Sequence, residues 1–290
     1  MTRHLLLLAL SIVLLASCGP RQQQGNTISV SILPERYFVE RIAGDRVKVN
    51  VMVPPGANPA SLDLNTRQLQ ALHDSRLYFA IGHLPCEINM LYPLLESGKG
   101  PRLVKLSDGL QLEEGSCGSH EHTGEQRLPG MDPHVWMSPA NTRIMAGKIY
   151  ETLAECFPGD KDLFMRNYRQ FLTEIDSIDR EARRIVSSKK HKTFLIYHPA
   201  LTYFAKEYGM RQISIENEGK EPNPAHVKAI VDTCRAQNIR VVFIQNQFDI
   251  SNATTIAQEI GGKVIPIDPL AENWKEEMER LLNIINQEME

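Results

Sequence analysis

DKDLFMRNYRQFLTEIDSIDREARRIVS, residues 160–187, is the longest periodic stretch of the chain. Phe164, Tyr168, Phe171, Ile175, Ile178, Ala182 and Ile185 recur every three or four residues, which places them on one face of a helix. At 1.5 Å per residue such a helix is roughly 40 Å long. That is long for a globular protein, so the helix is read as a bridge between two lobes.

Both flanks of this helix alternate short apolar, β-rich runs with helical segments. Upstream, strands are read at 28–33, 47–53, 77–81 and 103–106, with helices at 34–43, 65–73, 87–95 and 138–156. Downstream, strands at 193–197, 213–215, 241–244 and 264–267 alternate with helices at 200–208, 224–237, 252–260 and 272–286. Strands that alternate with helices need crossover connections and give a parallel sheet. The expected fold is α/β: two lobes, each with a mostly parallel sheet flanked by helices, joined by one long helix. The boundaries are an N-terminal lobe over 28–158, the bridging helix over 159–189 and a C-terminal lobe over 190–290.

Ahead of this lies a different kind of sequence. Arg3 supplies a positive charge, residues 5–15 are almost wholly apolar, and Leu15-Ala16-Ser17-Cys18 ends the run. So short a run reads as a signal peptide over 1–17 and not as a membrane span. Its end resembles a bacterial lipobox, which implies cleavage before Cys18, a lipid on its sulfur and a polar tether over 18–27. The expected location is the periplasm or cell surface, anchored to the membrane. A net charge of −3 gives no reason to expect nucleic acid. The other cysteines, Cys86, Cys117, Cys156 and Cys234, are widely spaced without a Cys-x-x-Cys pair, so they are a poor thiolate zinc site, and a disulfide stays possible.

Ligands of open parallel sheets collect at the carboxyl ends of strands. His198 follows one predicted strand directly and Asp268 another, while His134 lies in the loop before the helix at 138–156 with Asp132 two residues ahead of it. Imidazole and carboxylate together suit zinc, with manganese and iron as alternatives. Further donors are His83 and Glu87 near the third strand end, Glu216 and Asn217 beyond the second strand of the C-terminal lobe, and the loop pair His120 and His122. His73, His191 and His226 read as surface residues.

The segments Val53-Pro54-Pro55-Gly56-Ala57-Asn58-Pro59, Asp132-Pro133-His134-Val135-Trp136-Met137-Ser138-Pro139, His198-Pro199-Ala200-Leu201-Thr202-Tyr203-Phe204 and Pro266-Ile267-Asp268-Pro269-Leu270 together resemble the solute-binding lipoproteins of bacterial zinc and manganese ABC importers, the cluster A-I group. The similarity covers nearly all of residues 28–288. The resemblance implies that His134, His198 and Asp268 bind the metal, that His120 and His122 collect it from a loop, and that the chain is no enzyme. Manganese-type members tend to carry a glutamate where His198 stands, so the resemblance favours zinc. The implied partners are the permease of an ABC importer and, through the N-terminal lipid, the membrane, with the chain acting as a monomer; an adhesin role is compatible. One departure stands out: Ala60 occupies the position of the family's first histidine, so the ligand set is three protein groups plus a water, or is completed by His83 first, then Glu87, His120, His122, Glu216 or Asn217; the remaining alternative is that Ala60 abolishes metal binding. The alternatives are a haem- or siderophore-type chelate binder and a zinc hydrolase.

Overall fold

The computed structural model describes residues 25–95, 100–115, 130–216 and 222–290. The signal-peptide run, Cys18, Cys117, His120, His122 and Asn217 lie outside the described residues. The first sheet contains β1 (Thr27–Val30), β2 (Lys48–Val51), β3 (Leu77–Ala80) and β4 (Arg102–Lys105), in the order β2-β1-β3-β4. A short antiparallel pairing follows, β5 (Glu114–Gly115) against β6 (Gly130–Met131). The second sheet contains β7 (Thr193–Ile196), β8 (Arg211–Ser214), β9 (Val241–Gln245) and β10 (Lys263–Ile267), in the order β10-β9-β7-β8. Every pairing within the two four-stranded sheets is parallel.

The two sheets are built the same way. The second strand of each lies on one side of the first, and the third and fourth lie on the other. Helices make the crossovers that parallel neighbours require. In the first sheet these are α1 (Leu33–Ala43), α2 (Thr66–His73) and α3 (Tyr92–Leu95). Between the sheets run α4 (Pro139–Cys156) and the 27-residue α5 (Lys161–Ser187). In the second sheet the crossovers are α6 (Thr202–Glu207), α7 (Pro224–Ala236) and α8 (Ile250–Glu259), and α9 (Trp274–Glu288) ends the chain.

Helix starts follow the side chains. The side-chain Oδ1 atoms of Asn65 and Asn223 accept from the backbone N–H groups of Gln68 and His226, and the Ser138 hydroxyl accepts from the Asn141 N–H. The helix expected over 87–95 begins instead as a wide π turn over Glu87–Leu91, closed by Tyr92 N–H on the Glu87 carbonyl. Pro93 explains the difference: it has no N–H to continue an α-helical ladder, and its ring would meet the carbonyl four residues back. Within residues 107–131 the described part carries one short antiparallel pairing, β5 against β6.

The apolar face of α5 is buried through Phe164, Phe171, Ile175, Ile178, Ala182, Ile185 and Val186. It packs on α1, α4 and α9. Trp274 of α9 sets its ring edge-on against Phe38 of α1 and Phe171 of α5, with centroids 5.4 and 6.3 Å apart. One continuous apolar cluster therefore runs from Ile28 and Phe79 through α5 to Phe194 and Phe243, and both sheets share it. Smaller clusters fill the outer face of each sheet. Among the described residues no helix is long and apolar enough to cross a membrane. Cys86, Cys156 and Cys234 are free thiols. Burial pushes the Cys86 thiol up to about 12 and the Cys234 thiol up to about 11.

Candidate metal centre

His134 sits in the turn between β6 and α4, and Asp132 shapes that turn. One oxygen of the Asp132 carboxylate accepts both the backbone N–H of His134 at 2.8 Å and its ring Nδ1 at 2.7 Å. Both side chains are nearly enclosed. Burial pushes the Asp132 carboxyl up, yet the His134 imidazole, with hydrogen bonds from it and from Thr202, outweighs that and holds the group below the usual carboxylate range. A carboxylate on Nδ1 fixes the tautomer and leaves the ring lone pair on Nε2.

His198 is built in the same manner from the C-terminal sheet. It lies two residues past the end of β7, and Glu216 lies two residues past the end of the neighbouring β8. Parallel pairing of these strands brings the two together, and Nδ1 of His198 meets Oε2 of Glu216 at 2.9 Å. Gln245, the last residue of β9, donates to the His198 carbonyl at 2.6 Å. Phe248 stacks on the His198 ring at 5.2 Å. The two imidazoles meet edge to face, with centroids 5.2 Å apart.

Asp268 follows β10. Its backbone N–H donates to Glu277 at 2.8 Å, and its Oδ1 accepts the Leu270 N–H at 3.1 Å. The next carbonyl, Pro269, accepts the indole N–H of Trp136, two residues past His134. Asp268 thus belongs to a turn fastened to the His134 loop. Among the described residues, however, no three His, Cys, Asp or Glu side chains already stand as a metal-binding group. The Oδ1 of Asp268 is engaged within its own turn.

The other sequence candidates have different surroundings. Glu87 is fully buried and accepts the N–H groups of Ile81, Gly82 and Leu84 and the Ser31 hydroxyl, so it anchors the end of β3 from inside. Burial pushes its carboxyl up, against those hydrogen bonds. Glu216 is also placed differently from a direct donor, since it stands behind His198. His83 is half-buried beside Lys105 and Asp108; burial first, then the Lys105 charge, push its imidazole down. Ala60 is exposed in a turn over Pro59–Ser61. The backing carboxylates, the Phe248 wall and the Trp136 tie were not anticipated from sequence. The spacing of Asp132 from His134 was the available signal for the first of them.

The model of the family described as zinc-uptake complex component A, periplasmic, matches residues 28–290. The chain belongs to this family. The resemblance drawn from the four segments is borne out, and so is the expected fold. Among family relatives, the high-affinity zinc uptake system protein ZnuA of Bacillus subtilis is 25% identical over 298 aligned residues, covering 97% of this chain and 92% of that one. The zinc-binding lipoprotein AdcA of Streptococcus pneumoniae is 24% identical over 300 aligned residues. This chain spans about 60% of the length of AdcA. A crystal structure of ZnuA superposes with a TM-score of 0.81 at 33% identity, covering 90% of this chain and 98% of that one. A zinc-bound deletion mutant of ZnuA gives a TM-score of 0.82 at 32% identity.

Proposed function

We propose that this chain captures a zinc ion outside the cytoplasm and delivers it to the permease of an ABC importer, without catalysing a reaction. One observation carries the reading: two imidazoles, one from the turn between β6 and α4 and one from the end of β7, each backed at Nδ1 by a carboxylate, lie 5.2 Å apart. At Zn–N distances of about 2.0–2.1 Å, two imidazoles bound through Nε2 to one tetrahedral ion have ring centroids roughly 5 Å apart. The carboxylates also make the rings better donors. Asp268 supplies the third donor by turning from its own loop to the ion, and water takes the place of the histidine absent at Ala60. Neutral nitrogen donors favour zinc over manganese, which prefers oxygen. Zinc is the metal named in the relatives AdcA and ZnuA. Lipid attachment at Cys18 holds the protein at the membrane, where it works as a monomer beside the permease.

The test is calorimetric titration of the purified protein with zinc, together with elemental analysis. The wild type should take up one zinc, with affinity falling in acid as protons compete with the metal for the ligand nitrogens. His134→Ala and His198→Ala should each abolish tight binding. Unchanged affinity in both variants overturns the reading.

A further inference from the structure

We propose that Thr202 and Tyr203 are positioning residues that fix the spacing of His134 and His198 before metal arrives; this rests on the metal-binding reading above. The segment that carries His198 also grips the turn that carries His134. Four and five residues past His198, at the start of α6, Thr202 and Tyr203 both reach Asp132. Tyr203 donates its hydroxyl to the Asp132 carbonyl at 2.7 Å and accepts the Glu113 N–H at 3.2 Å. The Asp132 N–H donates in turn to the Glu113 carbonyl at 2.9 Å. The Thr202 hydroxyl accepts from Gln212 Nε2 at 3.0 Å, and its proton faces two acceptors, the Pro199 carbonyl at 3.4 Å and the Asp132 carboxylate. A hydroxyl has a single proton. Of these two acceptors the Pro199 contact is long and the ionised Asp132 carboxylate is the stronger, so the Thr202 proton is drawn to Asp132.

Asp132 is therefore held through its N–H, its carbonyl and its carboxylate, two of the three from the His198 segment. That carboxylate is the group that fixes the His134 ring. Gln212 pins the grip from beneath, because its carbonyl oxygen also accepts the Leu201 N–H at 2.9 Å. Burial pushes the Tyr203 hydroxyl up to about 12, so it remains a donor at neutral pH. Neither Thr202 nor Tyr203 carries a charge to offer the ion. Their effect on binding runs through Asp132.

The test uses the full chain with zinc alone as the probe, read by competition with a chelator at pH 7. Thr202→Val removes the hydroxyl at nearly constant shape, Thr202→Ser keeps it, and Tyr203→Phe removes only an oxygen. Thr202→Val and Tyr203→Phe should weaken zinc binding about 10-fold or more, the range seen when partners behind metal ligands are removed. Thr202→Ser should stay within roughly twofold of wild type by retaining the donor. In the zinc-free protein the imidazole 15N spectrum of His134 should show one Nδ1-protonated tautomer in wild type and Thr202→Ser, and a mixture in Thr202→Val. A purely structural role would lower the zinc-free melting temperature without moving that spectrum or the affinity. Wild-type affinity in Thr202→Val, or equal weakening in Thr202→Ser, overturns the proposal. If Tyr203→Phe fails to fold, the Thr202 pair decides. If the wild type itself takes up no zinc, the functional reading fails, and the tautomer comparison still decides this one.

Discussion

The indole N–H of Trp136 donates to the carbonyl of Pro269 at 2.7 Å, which ties the His134 loop to the turn that carries Asp268. Trp274 answers from α9 by donating its own indole N–H to the Trp136 carbonyl at 2.8 Å. Both bonds are buried. Trp136→Phe keeps most of the ring and removes the donor, leaving the Pro269 carbonyl enclosed and unpaired. A lost buried partner costs about 1–3 kcal/mol. Urea unfolding of the metal-free protein should show a loss in that range, with weaker zinc binding beside it. If Trp136→Phe matches wild type in both, the tie does not hold the two loops together.

Gly115 stands where a side chain has no room. A Cβ built there would lie 2.7 Å from Cα of Asp132 and 2.8 Å from its nitrogen, both backbone atoms that cannot swing aside. Gly115→Ala should therefore push the Asp132 turn away from its Tyr203 and Thr202 partners and weaken zinc binding by about tenfold, as disturbed ligand supports do. Gly159→Ala, which meets nothing within 4 Å, is the control and should leave affinity unchanged. Equal affinities for the two variants would refute the close-approach argument.

Glu35 is fully buried; its Oε2 accepts the N–H groups of Ser31 and Ile32, while Oε1 has no hydrogen-bond partner. Burial first, then the nearby Glu87 charge, push its carboxyl well above the usual range. The folded protein then binds more protons than the unfolded chain between the two values. The stabilisation is fully present below the ordinary carboxylate value of about 4.3 and is lost as pH rises through the raised folded value. Glu35→Gln imitates the neutral acid and should flatten this decline. Urea midpoints of wild type and variant across the acid-to-neutral range check it; parallel curves would show that Glu35 does not set the slope.

Much of this was legible in the sequence because the relevant signals are local. The period of α5 follows from seven apolar residues at helical spacing. The positions of His198 and Asp268 follow from the ends of apolar runs. The backing of His198 by Glu216 was not legible, because it depends on β7 lying beside β8, a pairing that no local pattern states. The burial of Glu87 was hidden for a related reason. Its sequence context is that of a helix start near a strand end, where an exposed carboxylate is common, and only the fold brings three backbone N–H groups around it. The π turn was legible in principle, since Pro93 cannot donate to a regular helix.

The shared core decides how the lobes unfold. Phe171 of α5 touches Phe38 and Tyr37 from α1 and Trp274 from α9, so its ring belongs to both lobes at once. Phe171→Ala should cost about 3–5 kcal/mol, the usual loss for an aromatic core residue cut to alanine. The more telling outcome is the shape of the transition. If the lobes were independent units, the outer cluster of the second sheet, with Leu195, Val242 and Ile256, would survive the loss and melt separately. Because the inner face of that same sheet is built on Phe194 and Phe243, within the common cluster, the variant should still unfold in one calorimetric step at a lower temperature. The same continuity opposes lobe rotation, so metal-free and zinc-loaded crystals should superpose as one body, with differences confined to the loops around His134, His198 and Asp268. Two calorimetric transitions in Phe171→Ala, or a large rigid rotation on loading, would show that α5 is a hinge between separate cores.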